Sequence, residues 1–265
     1  MNRLLILYIV FMLIFSFKAK SDIIIINGKT FPLTSESPLN KYPLVKTIKE
    51  KLVSYRTTSY DDPCDSYNAE WTVVNNELYL INIYSCNDTK FQHKTDLTPL
   101  FNDGSVTVKN GMVKAVWFKG DIWAAQGKPI YTYTYMSPVY AAETRVVVLN
   151  GKVTGVKEFV YPFVKDAVYN EDSNARTKFI NDHINWLIIP NLKSGAKRIN
   201  IVFQPGKLGK PENISLFKPS DDKILNDEAI RVIGLMPWNA YYSHGQIIKQ
   251  PILMSVLFSE DRRPK

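Results

Sequence analysis

The chain is short of the residues that carry most enzymatic chemistry. Only two of its 265 residues are cysteine and three are histidine, which leaves little for a metal centre or a nucleophile–base pair. His-Glu-x-x-His, Cys-x-x-Cys and Gly-x-Ser-x-Gly are all absent, so zinc and α/β-hydrolase chemistry lose their usual sequence support. Pro205-Gly206-Lys207-Leu208-Gly209-Lys210 lacks the spacing of a phosphate loop and leads into a strand rather than a helix, so it reads as a hairpin turn. No repeat of constant period occurs, which excludes a propeller or a solenoid. Charges are dispersed rather than stacked in runs, and nucleic acid is not an expected partner.

What is present can build cores: 45% of the residues are hydrophobic and 12% aromatic, in a length that accommodates two modest domains. The first residues belong to neither. Met1-Asn2-Arg3 is a short basic start, and the apolar run from Leu4 to Phe17 is shorter than the ~20 residues a membrane helix needs. Ala19-Lys20-Ser21 then offers small residues before Asp22, so residues 1–21 read as a cleaved signal peptide of an exported, periplasmic protein. No cysteine stands at the cut, and a lipoprotein is not expected. Cleavage removes Arg3, Lys18 and Lys20 and no acid, leaving 30 basic against 25 acidic residues, a mild excess that serves solubility. Outside the cytoplasm two thiols in one domain tend to pair, so Cys64 and Cys86 are expected to form a disulfide. Its loop of roughly 20 residues corresponds to about 3 kcal/mol in the chain-entropy description.

Residues 22–162 are predicted to form an antiparallel β-rich domain. Asn27-Gly28, Asn110-Gly111 and Asn150-Gly151 each sit between β-branched or aromatic runs, as does Asn75-Asn76, and such pairs supply the positive φ angles of tight hairpin turns. Strands are expected at 70–74, 78–84, 106–108, 112–118, 130–135, 145–149 and 153–161, with one short helix at 44–52 where Leu44, Val45, Ile48 and Leu52 recur at helical spacing. The domain resembles uncharacterised secreted bacterial proteins with a paired-cysteine β core, and that likeness implies no activity. Residues 163–174 read as a polar linker and 259–265 as a charged tail that frays.

Between them, residues 175–258 read as an αββαβ unit. A helical run covers Phe179 to Ile188, strands follow at 199–203 and 213–218, a second helix spans Asn226 to Leu235, and an apolar strand closes the unit from Gln246 to Phe258. Four stretches carry a resemblance: Leu225-Asn226-Asp227-Glu228-Ala229-Ile230-Arg231-Val232-Ile233, Met236-Pro237-Trp238, the Gly245 turn and Gln250-Pro251-Ile252. There the chain resembles the TonB C-terminal domain family. The resemblance covers about a third of the chain. It implies a non-enzymatic protein-interaction module without a cofactor, engaging an extended peptide of an outer-membrane transporter by strand addition. The expected contact strand carries Ile247, Ile248, Lys249, Ile252, Met254 and Val256. An energy transducer would further need a permanent anchor, a long proline-rich spacer and an intramembrane polar residue, and the sequence supplies none of them.

Bland explanations compete for the remaining candidates. His183 lies on one stripe of the first helix, His244 in a turn, and His93 in a polar stretch, which are ordinary surface or half-buried placements. Asp221-Asp222 and Asp227-Glu228 stand near a helix start, where the helix dipole favours carboxylates. Asn87-Asp88-Thr89 and Asn213-Ile214-Ser215 match the glycosylation triplet, which is common by chance. A rival function comes from the β-rich domain. Its aromatics (Tyr67, Trp71, Tyr79, Tyr84, Trp117, Phe118, Trp123, Tyr131, Tyr133, Tyr135 and Tyr140) are candidates to line a carbohydrate or peptide cleft, and with the carboxylates Asp61, Asp62, Glu70, Asp96 and Asp121 would make a carbohydrate-binding or hydrolytic protein.

Overall fold

The computed structural model describes residues 21–52, 67–85, 94–131, 138–162, 172–192 and 195–264. The signal peptide reading, Cys64, Cys86, His93 and most of the linker reading lie outside the described residues. The protein is α+β; among the described residues there are three helices and 44% strand in several sheets. Two compact units emerge, one of residues 1–126 with 142–159 and one of residues 127–141 with 160–265. Among the described residues no helix is long and apolar enough to cross a membrane.

In the first unit, β1 (Ile23–Ile26) and β2 (Lys29–Pro32) form a hairpin through Asn27 and Gly28, at φ 50° and 75°. Helix α1 (Val45–Leu52) sends Ile48 and Leu52 into the core, and β3 (Tyr67–Val74) pairs with β4 (Glu77–Ser85). After the small hairpin of β5 (Val108–Lys109) and β6 (Met112–Lys114) come β7 (Gly120–Tyr131), β8 (Val139–Leu149) and β9 (Lys152–Val160), of which residues 127–131, 139–141 and 160 belong to the second unit. The spatial order is β2-β1-β3-β4-β9-β8-β7. A bridge between Leu33 and Ala124, with Thr34 N–H donating to Trp123 O at 2.8 Å, joins the two ends of that order. The sheet thus meets itself around a core that includes Ile24, Trp71, Leu80, Ile122 and Val146.

Besides shifted ends, with β6 stopping at Lys114 rather than Phe118 and β8 starting at Val139 rather than Arg145, two features depart from the sequence reading. The sheet is mixed rather than antiparallel, because β1 and β3 run parallel with Ile23 opposite Glu70. Parallel neighbours need a long connection, and the stretch between β2 and β3, with α1 inside it, provides one. The other is β7, which occupies 120–131 instead of beginning at Ile130. Gly127-Lys128-Pro129 hides it in the sequence; proline is tolerated there because β7 is last in the strand order and has a side that needs no ladder donor.

The second unit contains α2 (Ser173–His183), β10 (Lys197–Pro205), β11 (Pro211–Lys218), α3 (Lys223–Leu235), the small hairpin β12 (Tyr242–Ser243) and β13 (Gln246–Ile247), and β14 (Ile252–Phe258). Both helices start at an aspartate. Asp172 accepts from the N–H groups of Asn174 and Ala175, and Asp222 from those of Ile224 and Leu225. The first cap lies inside the stretch read as a linker, and the second helix begins at Lys223, three residues before the expected Asn226. The first helix ends at His183 rather than Ile188. Beyond it Trp186 and Ile189 enter the core from a loop instead of a helix face.

Sheet order here is β11-β10-β14, with Ile199, Ile201 and Phe203 opposite Val256, Met254 and Ile252. The expected strand 246–258 is two strands. Ile248, Lys249, Gln250 and Pro251 interrupt it, and Pro251 has no N–H for a ladder. The tail is held rather than frayed: Glu260 accepts from Leu192 N–H at 2.8 Å, and Arg263 donates to Trp186 O at 2.7 Å with its guanidinium over the Trp186 ring.

Candidate functional site

A cavity lined by described residues of the second unit has a volume of about 520 Å³. Its long wall is Gln250 to Ser255, every residue in turn. Successive strand residues point to opposite faces, so a cavity touching all of 252–255 lies against the edge of β14 rather than one of its faces. Among the described residues β14 pairs only with β10, and half of its backbone N–H and C=O groups therefore face away from the sheet.

Helix α2 supplies the opposite wall through Arg176, Thr177 and Ile180, residues one helical turn apart on one stripe. An aromatic end wall comes from Tyr131, Trp238 and Tyr241. Tyr131 and Tyr241 stack with centroids 4.8 Å apart and planes 15° off parallel, and Trp238 meets Phe203 edge-on at 5.1 Å. Trp238 is 3% exposed, and its Nε1 has no hydrogen-bond partner among the described residues. Arg176 is the one charged residue on the wall among the described residues. The hairpin β12–β13 fixes the Tyr241 side. Its turn places His244 and Gly245 at φ 52° and 75°, Tyr161 stacks on Tyr242 at 4.9 Å, and the Tyr161 hydroxyl accepts from Gly245 N–H.

Of the residues singled out from sequence, Ile252 and Met254 line the groove. Met254 and Val256 direct their side chains into the core, at 8% and 0% exposure, so what either offers a partner is backbone. Ile247 lies in the small hairpin, and Ile248 and Lys249 follow it; Ile248 N–H donates to Tyr241 O and Lys249 O accepts from Gln204. None of these three is on the groove wall. Sequence reasoning missed Arg176 and Tyr241; it named Tyr131 only among the aromatics of the rival cleft and Trp238 only in the Met236-Pro237-Trp238 motif. The spacing of Arg176 and Ile180 on one helical face was a usable signal.

The charged groups nearby are structural. Glu228, 2% exposed, accepts from Asn185 N–H at 2.6 Å and from Arg231 Nε and Nη2, both at 2.7 Å. Burial pushes its carboxyl up, but the Arg231 and Asn185 hydrogen bonds and the Arg231 charge together hold it below the usual glutamate value. That network, rather than the helix dipole, accounts for Glu228. Asp227 forms an exposed i,i+4 pair with Lys223. His183 stacks on Phe179, and its Nδ1 lies 2.8 Å from Phe179 O. No group of histidine, cysteine and carboxylate side chains able to hold a metal occurs among the described residues.

Several residues named for the rival cleft are engaged within the first unit. Tyr67, Trp71, Tyr84 and Trp123 are buried. Glu70 accepts from the Tyr84 hydroxyl, Asp121 pairs with Arg145 at 2.7 Å, and Asp96 accepts from Thr98 N–H. Asp61 and Asp62 lie outside the described residues. Comparison with protein-family models, with curated proteins and with solved structures finds no match to this chain.

Proposed function

We propose that the C-terminal part is a protein-interaction module that captures an extended peptide by adding it as a strand to β14. The observation that carries the reading is a roomy groove running along a sheet edge whose backbone groups are not paired within the sheet. An extended segment entering it gains main-chain hydrogen bonds to β14 on one side and side-chain contacts to α2 on the other. In this reading the protein is exported to the bacterial periplasm. The segment belongs to an envelope protein, an outer-membrane transporter being the partner that the TonB resemblance suggests, and the module serves TonB-dependent transport without catalysing a reaction. The αββαβ succession of α2, β10, β11, α3 and β14 agrees with that resemblance.

The test starts from Leu253, whose side chain is 59% exposed and lines the groove. A photo-crosslinking residue placed there in the exported chain identifies the partner in the envelope by mass spectrometry. The captured segment, added as a peptide, is expected to slow amide exchange at alternate residues of β14. A peptide that binds and leaves every β14 amide unchanged refutes strand addition.

A further inference from the structure

We infer that Asn110 is a site of spontaneous deamidation, and that the fold shields the same residue pair at Asn150-Gly151. In an Asn-Gly pair the glycine nitrogen can attack the asparagine Cγ, because glycine has no Cβ to crowd the approach. Solvent hydroxide takes the N–H proton, ammonia leaves, and the new N–Cγ bond closes a cyclic imide. Water then opens the ring. Opening at Cγ gives aspartate, and opening at the main-chain carbonyl gives isoaspartate, whose backbone runs through the former side chain. Sequence treats Asn27-Gly28, Asn110-Gly111 and Asn150-Gly151 alike, and all three asparagines hold the same turn geometry, at φ 50°, 52° and 49°.

Their surroundings differ. A closed two-residue turn fixes the asparagine ψ, and with it the separation of Cγ from the next nitrogen, so reaction needs a turn that opens and a nitrogen that is not engaged. Gly151 is buried, donates its N–H to Phe118 O at 3.1 Å and accepts from Leu78 N–H at 2.8 Å. Its hairpin lies inside the sheet, with β4 beyond β9 and β7 beyond β8. Gly28 and Gly111 are exposed, a Cβ on either meets nothing within 4 Å, and no backbone bond holds either nitrogen among the described residues. The two exposed turns are closed unequally. Four residue pairs join β1 to β2, whereas two, Val108 with Val113 and Lys109 with Met112, join β5 to β6. The Asn110 turn is therefore the easiest to open. Its conversion reaches the core. Isoaspartate adds a backbone carbon that a two-residue turn cannot absorb, and the buried Val113 pairs with both Val108 and Leu80.

The exported chain is incubated at mildly alkaline pH, folded and in parallel in urea, and sampled over days. Trypsin leaves the pairs in separate peptides, with Asn110–Lys114 and Val146–Lys152 holding two of them. Mass spectrometry reads the exchange of a side-chain NH2 for OH, and chromatography separates aspartate from isoaspartate. In urea the three sites should convert at similar rates. In the folded chain Asn110 should convert first and Asn27 second, with Asn150 about tenfold slower than Asn110, the effect of its two further backbone bonds on local opening. Equal rates at the three sites in the folded chain overturn the inference. So does Asn27 or Asn150 ahead of Asn110, or an Asn110 that converts in urea and stays intact when folded.

Discussion

Glu228 is the residue whose chemistry most constrains the second unit. Its carboxylate joins α3 to the loop after α2 through Asn185 N–H, and Arg231, which also donates to His183 O, closes the network. Glu228→Ala is expected to cost about 2–3 kcal/mol, below the value for a fully buried pair because the Arg231 side chain remains 46% exposed. Urea unfolding followed by circular dichroism measures it. Glu260 behaves alike: the Arg263 and Leu192 hydrogen bonds hold its carboxyl below the ordinary value. For a depressed carboxyl the stabilisation is complete above the unfolded value of about pH 4.3 and is lost as pH falls through the lowered folded value. Thermal melts should therefore drop steeply in that acid range, and Glu228→Gln should flatten part of the drop. An unchanged acid limb in that variant rules Glu228 out as a source. The sequence alone gave no way to this role, since an acid near a helix start has a sufficient local explanation and Asn185 lies 43 residues away.

At the scale of elements, what is local was legible and what is distant was not. Each Asn-Gly or Asn-Asn pair read as a turn has both residues at positive φ, because the requirement is met by the pair itself. The parallel pairing of β1 with β3, the span of β7 and the break at Ile248 to Pro251 depend on partners far along the chain, and periodicity carries no record of them. The turns differ in one testable way. A Cβ on Gly28 meets nothing within 4 Å, whereas a Cβ on Gly151 meets the carbonyl carbon and oxygen of Ala115 at 2.9 Å; the two glycines share nearly the same φ. Gly28→Ala should therefore cost about 1 kcal/mol from backbone strain alone. Gly151→Ala should cost about 2 kcal/mol or more, because the strand ends that bond Gly151 to Phe118 O and Leu78 N–H must also shift. Equal midpoints for the two variants in urea would show that the close approach carries no energetic weight. The same contrast explains the groove: its β14 wall was visible as an apolar run, while Tyr131, Trp238 and Tyr241 were visible only as aromatics.

For the molecule as a whole, the expected processing site and the architecture of the first unit meet at one residue. Asp22, the first residue after the expected cut, is 8% exposed; its Oδ1 accepts from Ala69 N–H at 2.8 Å and its Oδ2 from Trp71 Nε1 at 3.0 Å. Trp71 is fully buried, so its indole N–H has no solvent to fall back on. One residue later begins β1, which lies between β2 and β3, and the end of β2 leads to the Leu33–Ala124 bridge that joins the ends of the sheet. A cut before Asp22 preserves all of this, and a cut a few residues later removes a strand from the interior of the order. Asp22→Ala should lower stability by about 2–4 kcal/mol, from two donors left without an acceptor. A chain starting at Asn27 should do worse, because it loses β1 and exposes the edges of β2 and β3. Urea unfolding of chains started at Asp22, with and without Asp22→Ala, is compared with the solubility of the chain started at Asn27. A truncated chain as soluble and stable as the full one would show that β1 is dispensable, and that the position of the cut was not set by the fold.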